Sequence, residues 1–211
     1  YDVQPRPRAL DGIRVMVHDR ILATVTVATS IGQLGAGALP VIAAVFAARN
    51  HDAAAAGWLM TAFAAGGLAG SLAWTWRPAS PANAARIVMA GLVGVGIPIA
   101  AAAGTSSLPM TAALLAVSGS FNGPLFGALL TTRQVRAPDG LRSQIFALGA
   151  GAKITATAAG AASAGVIAHA SSPAQLIIVA AFPLLAGTVG TLRLPRPDRQ
   201  SPLWTAHVRR S

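Results

Sequence analysis

Three polar side chains lie inside long apolar stretches: Gln33, Asn122 and Lys153. Lys153 is the only lysine in the chain and the only formal charge between Arg142 and Arg193. An ionisable group inside a membrane helix costs about 2.5 to 3.5 kcal/mol on insertion scales, so it is expected to face a cavity or a partner rather than lipid. In that position the three side chains would contact a polar molecule within the membrane.

Each of these side chains also has an interpretation that involves no ligand. The ammonium of Lys153 would reach the membrane surface if its methylene groups ran along the helix. Gln33 and Asn122 would each form a hydrogen bond between helices. The sequence leaves both interpretations open.

The residues that membrane enzymes and ion-coupled carriers use are largely missing. The chain has no cysteine, and no Asp or Glu falls in its long apolar stretches. His169 shares no depth with the candidate nucleophiles Ser118 and Ser120, and no Gly-rich phosphate loop followed by lysine occurs. We therefore expect that the protein is not an enzyme and that it holds no cofactor or metal.

The composition indicates the solvent in which this chain folds. Apolar residues make up 54% of its 211 residues and charged residues only 10%, against roughly a quarter charged in a soluble domain. Uncharged stretches cover residues 21–48, 53–76 and 87–132, which are longer than core helices need to be. The sequence therefore predicts an integral membrane protein.

One membrane crossing takes about 20 residues, because a helix rises about 1.5 Å per residue through a hydrocarbon core about 30 Å thick. Residues 87–132 therefore contain two crossings, separated by small, polar and turn-forming residues at 104–109. The predicted fold is an all-α membrane bundle between a basic linker at 1–20 and a basic tail at 193–211. Its six helices are expected near 21–47, 55–76, 87–104, 110–132, 145–168 and 174–192.

Arginines mark one side of the predicted bundle. The 16 basic residues are Lys153 and fifteen arginines, of which fourteen fall on one side while Arg49 lies alone on the other. Basic loops stay in the cytoplasm, so both termini are predicted to be cytoplasmic, in a multi-pass protein of the cell membrane. The net charge of +10 then reflects topology and contact with the lipid bilayer, and no nucleic-acid partner is expected.

Small residues recur at every fourth position on several predicted spans. This spacing lets two helices approach closely, which is how helices associate in lipid. Such faces either pack statically or slide past each other during a transport cycle. The three sets are Gly66 with Gly70, Gly119 with Gly123 and Gly127, and Ala156 with Gly160 and Ala164.

The cytoplasmic loops resemble those of a known family. Residues 133–146, RQVRAPDGLRSQIF, look like the loop between the tenth and eleventh helices of major facilitator superfamily transporters. Residues 70–86, GSLAWTWRPASPANAAR, are similar to the loop between the eighth and ninth helices, although the usual acidic residue after the glycine is missing. With six spans and both ends inside, almost the whole chain resembles the C-terminal half of such a transporter, including its three-plus-three inverted repeat.

The resemblance implies a secondary carrier that moves a small molecule by alternating access. The first, second, fourth and fifth spans of this half would line the cavity, which assigns Gln33, Asn122 and Lys153 to the substrate pathway. Basic residues of the cytoplasmic side would act as gate or lipid anchors: Arg77, Arg86, Arg133 and Arg142. Aromatic residues on neutral helices hint at a hydrophobic or amphipathic substrate, as in drug-efflux members: Phe63, Phe121 and Phe126.

Two alternatives are compatible with the same sequence. The chain would be a truncated, non-transporting remnant or a membrane scaffold if no second half closes the cavity. It would be a six-helix carrier in its own right if it works as a dimer. The carrier interpretation therefore expects a partner, either a second six-helix half in the same chain or a second copy.

Overall fold

The computed structural model describes residues 9–49, 51–52, 54–76, 80–138 and 140–195. Within these ranges all regular structure is helical. A 3₁₀ turn, Pro81–Asn83, leads into the fourth helix. The helices are α1 (Ala9–His18), α2 (Arg20–Arg49), α3 (Ala55–Trp76), α4 (Ala84–Ala102), α5 (Leu108–Arg136), α6 (Arg142–Ile167) and α7 (Ser172–Arg193).

Six of these helices, α2 to α7, are long and apolar enough to cross a membrane. The fold class predicted from the sequence, an all-α membrane protein with six transmembrane helices, is confirmed. We call the end of the bundle with Arg20, Arg136 and Arg142 the basic end, and the end with Arg49 and Ser172 the opposite end.

The predicted linker contains a helix, α1, that lies against the start of α6. Gly12 makes this contact, because a Cβ atom added there would be 2.9 Å from Oε1 of Gln144 and 3.4 Å from Leu148. Asp19 then separates α1 from α2. Its Oδ1 accepts hydrogen bonds from the backbone N–H groups of Ile21 (2.8 Å) and Leu22 (2.9 Å), which is the role of an N-cap.

Helix α5 extends past the predicted end of its span at residue 132. It continues to Arg136, so Arg133 and Arg136 lie on a helix and not in the following loop. Nη1 of Arg136 is 3.2 Å from Oδ2 of Asp19, which joins the end of α5 to the start of α2. This ion pair is exposed enough for solvent to weaken it, so its contribution to stability is small.

The packing of the six long helices has an internal two-fold pattern. Helix α3 packs on α5 as α6 packs on α2, and α4 packs on α5 as α7 packs on α2. The remaining large contact, between α4 and α7, joins the two triplets of helices. Exchanging α2, α3 and α4 for α5, α6 and α7 therefore reproduces the contact pattern. The three-plus-three inverted repeat of the family that the sequence resembles implies the same pattern.

Glycines bring the backbones of crossing helices into direct contact. A Cβ atom at Gly66 or Gly70 of α3 would collide with the carbonyl oxygen of Ala116 or Ser120 on α5. A Cβ atom at Gly160 of α6 would collide in the same way with Leu34 of α2. The small residues thus have the packing role that their spacing predicts. Their sliding during a transport cycle stays a prediction.

Candidate functional site

One face of α6 contacts two different helices along its length. The residues at 149, 153, 157 and 160 are spaced by four, four and three positions, which places them on one face of the helix. Gly149 and Lys153 contact α5, whereas Thr157 and Gly160 contact α2. Helix α6 therefore passes from one neighbour to the other at the depth of Lys153.

Lys153 lies in the middle of its helix and points toward α5. Its Nζ is 4.8 Å from the centre of the Phe126 ring, a distance at which a cation is attracted to the face of an aromatic ring. Lys153 is eleven residues from the basic end of α6, and Phe126 is ten residues from the basic end of α5. The ammonium therefore stays near its own depth, about 16 Å along the helix, and does not extend to the membrane surface.

Gln33 reaches the same face of α6 from α2. Its Oε1 is 3.2 Å from Oγ1 of Thr157, and the same hydroxyl is 2.9 Å from the backbone oxygen of Lys153. The hydroxyl has one proton and therefore donates to one of these two acceptors at a time. The interhelical hydrogen bond considered for Gln33 is thus present, and it places Gln33 one helical turn from Lys153.

Asn122 lies one turn before Phe126 on α5, and the two share a face. It is half-buried and forms no side-chain hydrogen bond to another residue in the part of the chain that the structure describes. The interhelical bond considered for Asn122 is therefore not formed within these residues. Its amide group can contact a ligand that lies between α5 and α6.

Arg133 lies on the same face of α5, two turns beyond Phe126 toward the basic end. The residue is only 5% exposed, and its guanidinium rests on Gly149 of α6, where a Cβ atom would collide with it. Nε of Arg133 is buried and has no hydrogen-bond partner among the described residues. A lipid anchor has to be exposed, so burial argues against that role for Arg133. The gate role predicted for Arg133 stays a prediction.

These contacts bring Gln33 and Lys153 onto one surface, and helical spacing places Asn122 one turn from Phe126 on the same surface. We call this surface the polar face, and it spans α2, α5 and α6 near the middle of the bundle. It carries two cations, because Arg133 rests on Gly149 and Lys153 lies one turn further along α6. Its members are Gln33, Asn122, Phe126, Arg133, Lys153 and Thr157.

The remaining predicted gate residues lie at the rim of the bundle. Arg86 and Arg142 are exposed near the starts of α4 and α6. Arg77 lies outside the described residues. The roles predicted for these three arginines stay predictions. The described residues contain no group of three or more His, Cys, Asp or Glu side chains that could hold a metal ion.

Sequence reasoning missed Thr157 and a cluster at the opposite end. Thr157 had a usable signal, because it follows Lys153 by four positions on a helix. At the opposite end, Arg49 donates hydrogen bonds to the backbone oxygens of Ala168 (2.9 Å) and Ala170 (2.7 Å) and to Oγ of Ser172 (3.0 Å). Gln175, which is fully buried, donates hydrogen bonds to the same two backbone oxygens. The carbonyl groups in the turn that follows α6 therefore have hydrogen-bond donors.

Six membrane-length helices in two related triplets, with polar residues grouped at mid-depth, are typical of one half of a membrane transporter. A comparison with curated proteins points to the same class. The chain is 32% identical over 200 residues to an uncharacterised MFS-type transporter, y4rN, of Sinorhizobium fredii, and the match covers 90% of this chain and 47% of the relative. No protein-family model and no solved structure matches the chain.

The resemblance to the major facilitator superfamily is confirmed by this relative, and the chain is related to that superfamily of membrane transporters. The chain spans about half the length of the curated relative it matches. This share agrees with a bundle of six helices that represents one half of the fold.

Proposed function

We propose that this chain forms the C-terminal six-helix half of a secondary carrier that moves a small molecule across the cell membrane by alternating access. The observation that supports the proposal is the polar face, where Gln33 bonds to Thr157 and Lys153 lies over Phe126. Asn122 lies one turn from Phe126 on α5. Substrate sites of such carriers lie at the membrane midplane, between two bundles that rock against each other.

The distribution of burial supports a second bundle on one side. In α3 and α6, 22% and 17% of the most hydrophobic stretch is buried, against 39% to 50% in the other four membrane helices. Helices α4 and α7 pack against each other at the back of the bundle. A second six-helix half, in the same chain or from a second copy, would cover α3 and α6 and close the cavity over the polar face.

The aromatic residues support a substrate with an apolar part. Phe126 belongs to the polar face, where its ring contacts Lys153. Phe121 instead lies over Gly94 of α4, and the backbone of Phe63 contacts Gly119 at the crossing of α3 with α5. The amphipathic substrate suggested by the sequence would therefore contact Phe126, with efflux from the cell as the proposed direction.

The absence of cysteine in this chain allows a direct test of alternating access. Asn122→Cys is introduced into the full-length protein, with any cysteine outside this chain replaced, and labelled with a membrane-impermeant thiol reagent. Labelling is measured separately in whole cells and in inside-out vesicles. Leu185→Cys on α7 is the matched control, because Leu185 is 62% exposed on the outside of the bundle, where lipid keeps the thiol unreactive.

A carrier exposes Asn122→Cys to both sides of the membrane in turn, so labelling from both sides is expected. Labelling from one side alone, or from neither, would contradict alternating access. That result would instead favour the remnant or scaffold alternative. Leu185→Cys is expected to stay unlabelled from both sides.

A further inference from the structure

The polar face holds two cations and no acid. The guanidinium of Arg133 on α5 contacts Gly149, one turn from Lys153 on α6. The six membrane helices contain no Asp or Glu. Asp19, at the start of α2, is paired with Arg136. Buried charges are normally paired or fully hydrogen-bonded, because an uncompensated charge in a medium of low polarity is costly.

Arg133 shows this deficit most clearly. The residue is only 5% exposed, yet its buried Nε has no hydrogen-bond partner in the described part of the chain. Gly149 leaves the space that the guanidinium occupies, since any side chain there would displace it. The fold therefore holds the guanidinium of Arg133 in a fixed place and leaves its Nε–H group without an acceptor among the described residues.

Resting on the carrier function proposed above, we propose that Arg133 and Lys153 bind the carboxylate of an anionic amphipathic substrate whose apolar part contacts Phe126. A guanidinium offers a planar set of donors that matches a carboxylate, and an ammonium adds a second charge. The anion relieves the repulsion between the two cations, which a neutral or cationic substrate does not. Asn122, one turn from Phe126, supplies amide donors along the same surface.

Three probes of one shape separate the charge requirement from simple apolar binding. Benzoate, benzamide and benzylammonium carry the same ring with a negative, a neutral and a positive group. Binding to the purified full-length protein is followed by the rise in its melting temperature, because a ligand that binds only the folded state stabilises it. We expect benzoate to raise the melting temperature and the other two probes to leave it unchanged.

Charge-removing variants locate the site. Lys153→Gln and Arg133→Gln are each expected to weaken benzoate binding by about tenfold or more, and Lys153→Arg by less than about threefold. Arg193→Gln, at the exposed end of α7, is the matched control and is expected to bind benzoate as the unmodified protein does. If Arg133→Gln fails to accumulate, Gly149→Ala replaces it, because it displaces the guanidinium without removing its charge.

Three results would overturn the inference. These are no response to benzoate, equal or stronger binding of benzamide or benzylammonium, and unchanged benzoate binding in both charge-removing variants. The labelling of Asn122→Cys distinguishes this failure from failure of the carrier function. Labelling from both sides without a preference for benzoate supports the carrier function and contradicts the anion site. One-sided labelling together with benzoate binding supports the anion site and contradicts the carrier function.

Discussion

The crossing of α3 with α5 and the crossing of α2 with α6 share their backbone contacts and differ in their side chains. Corresponding residues are 82 positions apart in α2 and α5, and 94 positions apart in α3 and α6, so the two crossings have the same register. Gly66 contacts Ala116 at one crossing as Gly160 contacts Leu34 at the other. In the same way, Gly119 contacts Phe63 as Gly37 contacts Thr157.

The same register pairs Gln33 and Thr157 of the α2–α6 crossing, and Lys153 one turn before Thr157 on α6, with apolar residues of α5 and α3. Lys153 corresponds to Leu59, Gln33 to Leu115 and Thr157 to Phe63. Leu59 and Leu115 are 2% and 1% exposed and belong to the apolar core. The crossing itself does not require a polar group at these positions, because α3 and α5 cross without one. The polar residues of the α2–α6 crossing are therefore available for function.

The largest expected effect comes from moving the charge to the apolar crossing. Leu59→Lys places an ammonium among buried apolar side chains with no acid on the neighbouring helices, which we expect to cost about 3 to 5 kcal/mol or to prevent accumulation in the membrane. Trp58→Lys is the control, because Trp58 is 65% exposed near the end of α3, where a lysine reaches water. Unfolding in detergent with added SDS measures both; equal stability of the two variants would contradict the comparison.

An intermediate effect is expected when either crossing is forced apart. Gly66→Val and Gly160→Val each place a side chain against backbone that cannot move aside, and each is expected to lose about 2 to 3 kcal/mol of stability. Gly57→Val on α3 and Gly165→Val on α6 are matched controls, since nothing lies within 4 Å of a Cβ atom at either position. A loss at one crossing only, in the same unfolding assay, would show that the two crossings are not equivalent.

The smallest effect on stability is expected where the polar crossing is made apolar. Lys153→Leu gives α6 the residue that α3 has at the corresponding position, so stability should change by less than about 1 kcal/mol or rise. Binding of benzoate should nevertheless fall by about tenfold or more, because one of the two cations is lost. Unfolding and melting-temperature shifts on the same sample test both parts. Stable protein with intact benzoate binding would remove Lys153 from the site.

Hydropathy predicts the six membrane helices because the length and apolar composition of a membrane-spanning helix are properties of one continuous segment. The predicted ends were less accurate at α5, where the helix runs on to Arg136 and carries Arg133 into the bundle. The linker helix α1 also lies outside the uncharged stretches and has no hydropathy signal of a membrane span. Lys153, Gln33 and Asn122 were predicted as site residues because polar side chains are rare in membrane helices.

The sequence by itself determined the membrane environment, the number of helices and the residues worth testing, because each of these depends on the composition of one segment at a time. The tertiary structure decided which faces meet. It placed Phe126 beside Lys153, Thr157 beside Gln33 and Arg133 on Gly149. Such pairings depend on where glycines on two distant helices let backbones touch, and alanine-rich helices carry little amphipathic pattern to reveal it.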